Sequence, residues 1–354
     1  MVGVVFVGDL KYCPYLKKYE KLIEECGLQY EVLFWNRSDI VYDNEKYISY
    51  NRYSELKKNK LLKVKDFYHF RKWLLKKLRE KKYNKLIILS TLSGMLIAEK
   101  LICSYPHKYI LDIRDYSYER ILPFFVEEKR IIERSAFTTI SSRGFCAFLP
   151  PDYPYVLSHN ISECTEVPEL RFKKKDEKVL NVVWLGTIRY IGQQAELMKK
   201  LSHDGRFRIL YYGDGPELDM FQAFADRNCL KNVFFYGAYN NEDKAKLLEE
   251  ADIINNCYVV NIETKYAVSN KFYDGVFYHI PQLVEPKTFK AKMASKYGIG
   301  VALDPLEDSF SEKLYRYYSQ IDEDKFNNSC DNLKKKFLKE ELHNTKMIKN
   351  FLNG

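Results

Sequence analysis

No stretch of this sequence approaches the ~18–20 consecutive apolar residues that a membrane-spanning helix needs, which argues against an integral membrane protein. The opening Met1-Val-Gly-Val-Val-Phe-Val-Gly-Asp9 is too short, and wrongly flanked, for a signal peptide, so the expected compartment is the cytoplasm. C-x-x-C is absent, and the eight scattered cysteines show no zinc-ligand spacing with histidine. They read as buried apolar residues of a reducing compartment. The P-loop, G-x-G-x-x-G, G-x-S-x-G and H-E-x-x-H are all missing, and the six histidines are dispersed. Asp322-Glu-Asp324 lies among helical patterns and reads as a solvated helix start, so no metal site is expected.

What is present is a chain of 354 residues, 46% hydrophobic and 30% charged, long enough for two domains of ordinary size. Short apolar runs alternate with amphipathic stretches throughout. Strands are expected at Val2–Val7, Tyr30–Trp35, Leu86–Leu89, Tyr109–Asp112, Phe137–Ile140 and Tyr155–Leu157. A second set is expected at Leu180–Leu185, Arg208–Tyr212, Val233–Tyr236, Ile253–Asn255 and Gln282–Val284, with helices such as Leu16–Cys26, Gln193–Leu201 and Glu217–Cys229 between strands. The alternation predicts an α/β protein of two doubly wound, Rossmann-like parallel-sheet domains facing each other across a cleft. A polar, Pro168-containing stretch at 163–178 reads as the linker between residues 1–162 and 179–330, and 331–354 reads as a terminal helix. Such sheets bind ligands at the carboxyl ends of their strands.

Several strand ends carry residues suited to an anion. Leu185-Gly-Thr-Ile-Arg189 ends a buried strand in Gly186, followed by a helix whose N–H groups and Arg189 could hold phosphate; a plain turn with a surface arginine is the bland alternative. Gly213-Asp-Gly-Pro216 and Gly237 place small residues at two further strand ends, where glycine is also ordinary turn punctuation. In Ser269-Asn-Lys-Phe-Tyr-Asp-Gly275, Ser269 or Asn270 can cap a helix. Lys271 then sits in the first turn, where a cation is unfavourable unless an anion joins it, and Asp274 can accept from a ribose diol. In the first half, Asp9 and Asp112-Ile-Arg-Asp115 lie after strands; Asp115, then Asp9, could orient an acceptor hydroxyl and Arg114 could hold phosphate charge, or the same residues could cap helices and pair with one another.

Charge is concentrated. From Lys57 to Lys85 there are 13 basic residues and two acidic ones, 13 − 2 = +11 against +9 for the whole chain. Phe67, Phe70, Leu74 and Leu78 form a helical stripe with Trp73 and Leu75 at its margins; Arg71, Lys72, Lys76 and Arg79 form a basic face. That face suits an anionic membrane surface, or solvent if the helix packs on its own domain. No nucleic-acid module accompanies it, so nucleic acid is not an expected partner.

The order strand–G-T-x-R, strand–G-D-G-P-E-L, strand–Y-G, A-D-I-I-N and N-K-F-Y-D-G-V-F-Y-x-I-P resembles the C-terminal domain of GT-B glycosyltransferases, most nearly glycosyltransferase family 4 and the capsular and exopolysaccharide enzymes. Lys108–Asp115 and Ser135–Ser141 look like N-terminal strands of that family. The resemblance implies an acceptor-binding domain at 1–162, a nucleotide-sugar domain at 179–330, and a last helix returning to the first domain. It implies metal-independent transfer of a sugar from a UDP- or GDP-linked donor to a lipid-linked or other glycan acceptor, at the inner membrane face, with no further cofactor. Gly186, Thr187 and Arg189 would meet the diphosphate, Lys271 would add a cation and Asp274 would hold the ribose. Two departures stand out: Tyr266 occupies the place of the first glutamate of E-x7-E, and Ile191-Gly-Gln-Gln194 replaces the usual lysine. These leave open a non-catalytic partner subunit or glycan-binding protein of the same fold; a nucleotide-sugar 2-epimerase is the other enzymatic alternative.

Overall fold

A computed structural model describes residues 1–54, 60–161, 170–175 and 179–354. Most of the expected linker, 163–169 and 176–178, lies outside these residues, as do Cys164, Lys57 and Lys58. The chain divides into two compact units: Met1–His159 with Lys339–Gly354, and Asn160–Leu338.

The first unit is built on seven strands: β1 Val2–Phe6, β2 Tyr30–Asn36, β3 Tyr47–Asn51, β4 Lys85–Leu89, β5 Tyr109–Ile113, β6 Phe137–Ile140 and β7 Val156–Leu157. All pair in parallel, in the order β3-β2-β1-β4-β5-β6-β7. The second has six: β8 Leu180–Leu185, β9 Phe207–Tyr212, β10 Val233–Gly237, β11 Ile253–Asn256, β12 Gln282–Val284 and β13 Gly300–Ala302, parallel in the order β10-β9-β8-β11-β12-β13. Counted from its own first strand this is 3-2-1-4-5-6, the doubly wound order whose switch point lies between the first and fourth strands. Ligands of such sheets collect there, so the geometry directs attention to the carboxyl ends of β8 and β11. The central strands β1, β5 and β8 are buried along their whole length but for the half-buried Asn181 of β8, as apolar runs require when helices cover both faces.

The helix Glu323–Asn353 ends in the first unit. There Ile348 and Leu352 join the core around Val2 and Phe137, and Lys18 pairs with Glu341 and donates to Asn344 Oδ1 at 2.6 Å. The basic helix Lys60–Lys81 buries Phe70, Leu74 and Leu78, with the Phe70 ring stacked on Trp35 at 5.5 Å; Phe67, Trp73 and Leu75 are half-buried. Lys72, Lys76 and Arg79 point outward, but Arg71 does not: its Nε donates to the Leu96 carbonyl at 2.9 Å. No described helix is long and apolar enough to cross a membrane.

The cysteine expectation needs correction. Cys13, Cys257 and Cys330 are buried, Cys26 is half-buried, and Cys103, Cys146 and Cys229 are exposed, because they sit on helix ends and turns rather than inward faces.

Candidate functional site

The candidate site is built at the switch point of the second unit. After β8 the chain turns through Gly186 at φ 103°. Gly213, after β9, packs so closely on this turn that a Cβ there would lie 2.0 Å from the Gly186 carbonyl oxygen; any side chain would force the two strand ends apart. Tyr212 accepts from Gly186 N (2.9 Å), Gly237 from Gly213 N (2.7 Å) and Asp214 from Ile188 N (2.9 Å). The three strand-end glycines of the motif are thus joined by their backbones, which makes Gly213 and Gly237 scaffold for the Gly186 turn. Asp214 is exposed and accepts from Gly215 N at 2.6 Å.

The next helix, Ile191–Ser202, departs from expectation. Ile191 N donates to Glu217 Oε2 at 2.8 Å, so a side-chain carboxylate already occupies the place reserved for an anion at this helix N-terminus. Thr187 and Arg189 remain exposed, the guanidinium 4.9 Å from the Tyr190 ring.

Helix Asn270–Phe277 brings the second cation. Ser269 stands at its N-cap but donates to Asn256 Oδ1 at 2.6 Å instead of capping it, and Asn270 is exposed. Lys271 is buried, with Nζ 3.0 Å from the centroid of the Trp184 ring and 4.9 Å from that of Tyr258. Burial first, then the positive charges of Lys290 and Arg189, hold its pKa well below the usual lysine range. Arg189 and Lys271 therefore act in one electrostatic neighbourhood: Tyr190, under Arg189, lies 5.7 Å from Tyr258, which Lys271 borders. Asp274 is also buried and paired, 2.5 Å from Lys244 Nζ.

Sequence reasoning missed four members of this cluster. Lys290 is buried against the Tyr258 ring (4.1 Å), 3.1 Å from Glu285, and donates to the Asn256 carbonyl at 3.0 Å. Lys244 reaches Asp274 from 30 positions earlier, and Trp184 supplies the ring under Lys271. Lys290 stands among other lysines in Lys287-Thr-Phe-Lys-Ala-Lys292, and no local signal separates it from them. Close by, a cavity of about 590 Å³ opens at the carboxyl ends of β9 and β10, lined by Tyr212, Tyr236, Gly237, Asp243, Lys246 and Glu250.

In the first unit the structure assigns plain structural work to two of the three candidates. Asp9 accepts from Arg37 N (2.7 Å), Ser38 N (3.2 Å) and Ser38 Oγ (2.7 Å), clamping the loop after β2. Arg114 is buried: its guanidinium donates to Asp112 (2.9 and 3.0 Å) and to Ser158 O and Oγ (3.0 and 2.7 Å), which saturates the fork meant for phosphate. Asp115 is exposed beyond the carboxyl end of β5. The unit also holds an unforeseen buried acid, Glu128, beside the Thr91 hydroxyl; among the described residues its oxygens make no well-aligned hydrogen bond.

No model of a known protein family matches the sequence, and no curated protein does. Solved structures do. HepE of Anabaena, crystallised with UDP, is 11% identical with a TM-score of 0.68, over 99% of this chain and 100% of the other. Sucrose-phosphate synthase of Thermosynechococcus elongatus is 10% identical with a TM-score of 0.67, over 99% and 94%. The lipopolysaccharide outer core galactosyltransferase WaaB is 15% identical with a TM-score of 0.61, over 93% and 94%. At such identities the likeness is one of architecture, and the chain has the two-Rossmann-domain fold of the GT-B glycosyltransferases.

Proposed function

We propose that the chain is a glycosyltransferase, taking a sugar from a UDP- or GDP-linked donor and giving it, without a metal ion, to a lipid-linked or other glycan acceptor of a surface polysaccharide. The observation that supports this best is the basic cluster at the switch point. Arg189, Lys271 and Lys290 gather there within electrostatic reach of one another; Glu285 faces Lys290, Asp274 is matched by Lys244, and Glu217 and Glu263 lie toward Tyr190, so the cluster offers basic groups that a diphosphate could engage. The structural likeness to HepE, itself solved with UDP, favours the same reading.

In such a reaction the bond between the anomeric carbon and the phosphate oxygen breaks, and negative charge gathers on the diphosphate. Arg189 and Lys271 would stabilise that charge, Lys271 in buried surroundings where the low dielectric strengthens its effect. The adjoining cavity is of a size to take the base and ribose. Asp115 is the candidate for orienting the acceptor hydroxyl.

Calorimetry with UDP, GDP and their sugars tests the donor half. Binding is expected, weakened at least tenfold by Lys271→Ala and by Asp274→Asn, the latter because Lys244 would otherwise share Asp274 with the ribose. If no nucleotide binds at millimolar concentration, the enzyme reading fails and a non-catalytic glycan-binding protein takes its place. The membrane half rests on the outward Lys72, Lys76 and Arg79. At about 1 kcal/mol per cation, neutralising the three should lower affinity for phosphatidylserine vesicles roughly a hundredfold in sedimentation. Equal binding to neutral vesicles would remove the membrane from the proposal.

A further inference from the structure

Two buried groups of the switch-point cluster have hydrogen-bonding capacity that the diphosphate does not use. Glu285 follows β12 and is fully buried. Its Oε2 accepts from Tyr258 N at 3.1 Å. Its Oε1 is ion-paired with Lys290 Nζ at 3.1 Å, which also donates to Asn256 O and Oδ1 (3.0 and 3.3 Å); a carboxylate oxygen has two lone pairs, so Oε1 keeps capacity for a further donor. Trp184, on β8, is as deeply buried, and its indole Nε1–H has no acceptor among the described residues. The Trp184 ring carries Lys271 and lies 5.2 Å from the Tyr258 ring; Glu285 is bonded to the backbone of the same Tyr258.

An indole N–H can only donate and a carboxylate can only accept. Buried groups of either kind are seldom left without a partner. A phosphate, all acceptor and negative, answers the indole but is repelled by Glu285. A cation answers Glu285 but not the indole. A hydroxyl both donates and accepts, so it suits both, and the sugar of a nucleotide-diphosphate donor brings several hydroxyls within reach of its own phosphates.

We propose that Glu285 and Trp184 form a hydroxyl-recognising subsite for the donor sugar, with Glu285 the residue that determines which sugar is accepted. The inference rests on the donor reading above. Tyr266, where the family resemblance places a carboxylate, supplies no carboxylate; Glu285 does, from the residue that follows β12.

The test compares UDP and GDP, their hexoses, and monodeoxy counterparts of the best hexose, by calorimetry on the full chain. Each affinity is expressed relative to the same variant's affinity for the bare nucleotide. The wild type should bind one monodeoxy donor about 10–100-fold less tightly than the parent, the loss expected when a hydroxyl bonded to a buried charged group is removed. Glu285→Gln should reduce that discrimination to a few-fold, and Trp184→Phe, which deletes only the donor N–H and ring area, should reduce it in part. If Glu285→Gln does not fold, Trp184→Phe and the wild-type discrimination decide alone. A wild type that binds nucleotide but treats parent and deoxy sugars alike overturns the subsite, as do variants that keep the full discrimination. A wild type that binds no nucleotide overturns the donor reading itself, and the subsite with it.

Discussion

Between pH 5 and pH 8 the protein should lose several kcal/mol of stability through one side chain, Glu128, and Glu128→Gln should abolish that loss. Glu128 lies in the helix Leu122–Glu133, fully buried. Burial first, then the charge of Glu119, push its carboxyl from 4.5 up to about 8, the neighbouring Thr91 hydroxyl acting weakly the other way. The sign follows from which state binds the proton. Below pH ~4.5 the carboxyl is protonated folded or unfolded and has no effect on the balance. Above that the unfolded chain releases the proton while the folded chain retains it, so stability falls by up to about 1.4 kcal/mol per pH unit until the folded value near 8, and is flat beyond. Urea unfolding of wild type and Glu128→Gln at half-unit intervals should give curves that diverge steadily from pH 5 to 8. Parallel curves would mean that Glu128 ionises in the folded state like a solvated acid.

The central strands were legible in the sequence, because buried parallel strands are continuous β-branched runs; Gly186 and Arg189 follow one of them directly, whereas Lys271 and Asp274 were placed by the helix pattern Asn270–Phe277 that holds them. β3 and β13 were not. They are edge strands, five and three residues long, with mostly half-buried patterns, one beginning in glycine, so neither shows the apolar run that marks an interior strand. The partners of the site residues were hidden for a different reason. Lysine is seldom buried, so nothing local separates Lys290 and Lys244 from the many solvated lysines around them; only the fold brings them to Glu285 and Asp274. Asp9 and Arg114 show the converse: they stand after strand ends like functional residues, but the fold commits one to a loop and the other to a buried carboxylate.

Lys271 leads to the other large effect, on ligand affinity. Its amine has lost most of its hydration, and the Trp184 face returns roughly 2 kcal/mol of that at best, while Lys290 and Arg189 repel a further positive charge. The ligand-free chain therefore holds Lys271 neutral over a pH range in which the unfolded chain, titrating near 10.5, holds it charged. Within that range Lys271 lowers stability as pH falls, and Lys271→Met should stabilise the free protein while removing nucleotide binding. A diphosphate reverses the balance, because its charge next to the amine raises the pKa and draws a proton from solution. Above pH 7, where the terminal phosphate has largely finished its own titration near 6, UDP affinity should fall by up to tenfold per pH unit wherever the free site is neutral and the occupied site charged. Calorimetry in phosphate and Tris, whose ionisation enthalpies differ, should register uptake of up to one proton per UDP bound, and Arg189→Lys should weaken binding without removing the uptake. Affinity independent of pH, with the same heat in both buffers, would show that Lys271 is already charged before the ligand arrives, and that the aromatic faces of Trp184 and Tyr258 compensate for its burial far better than cation–π energies suggest.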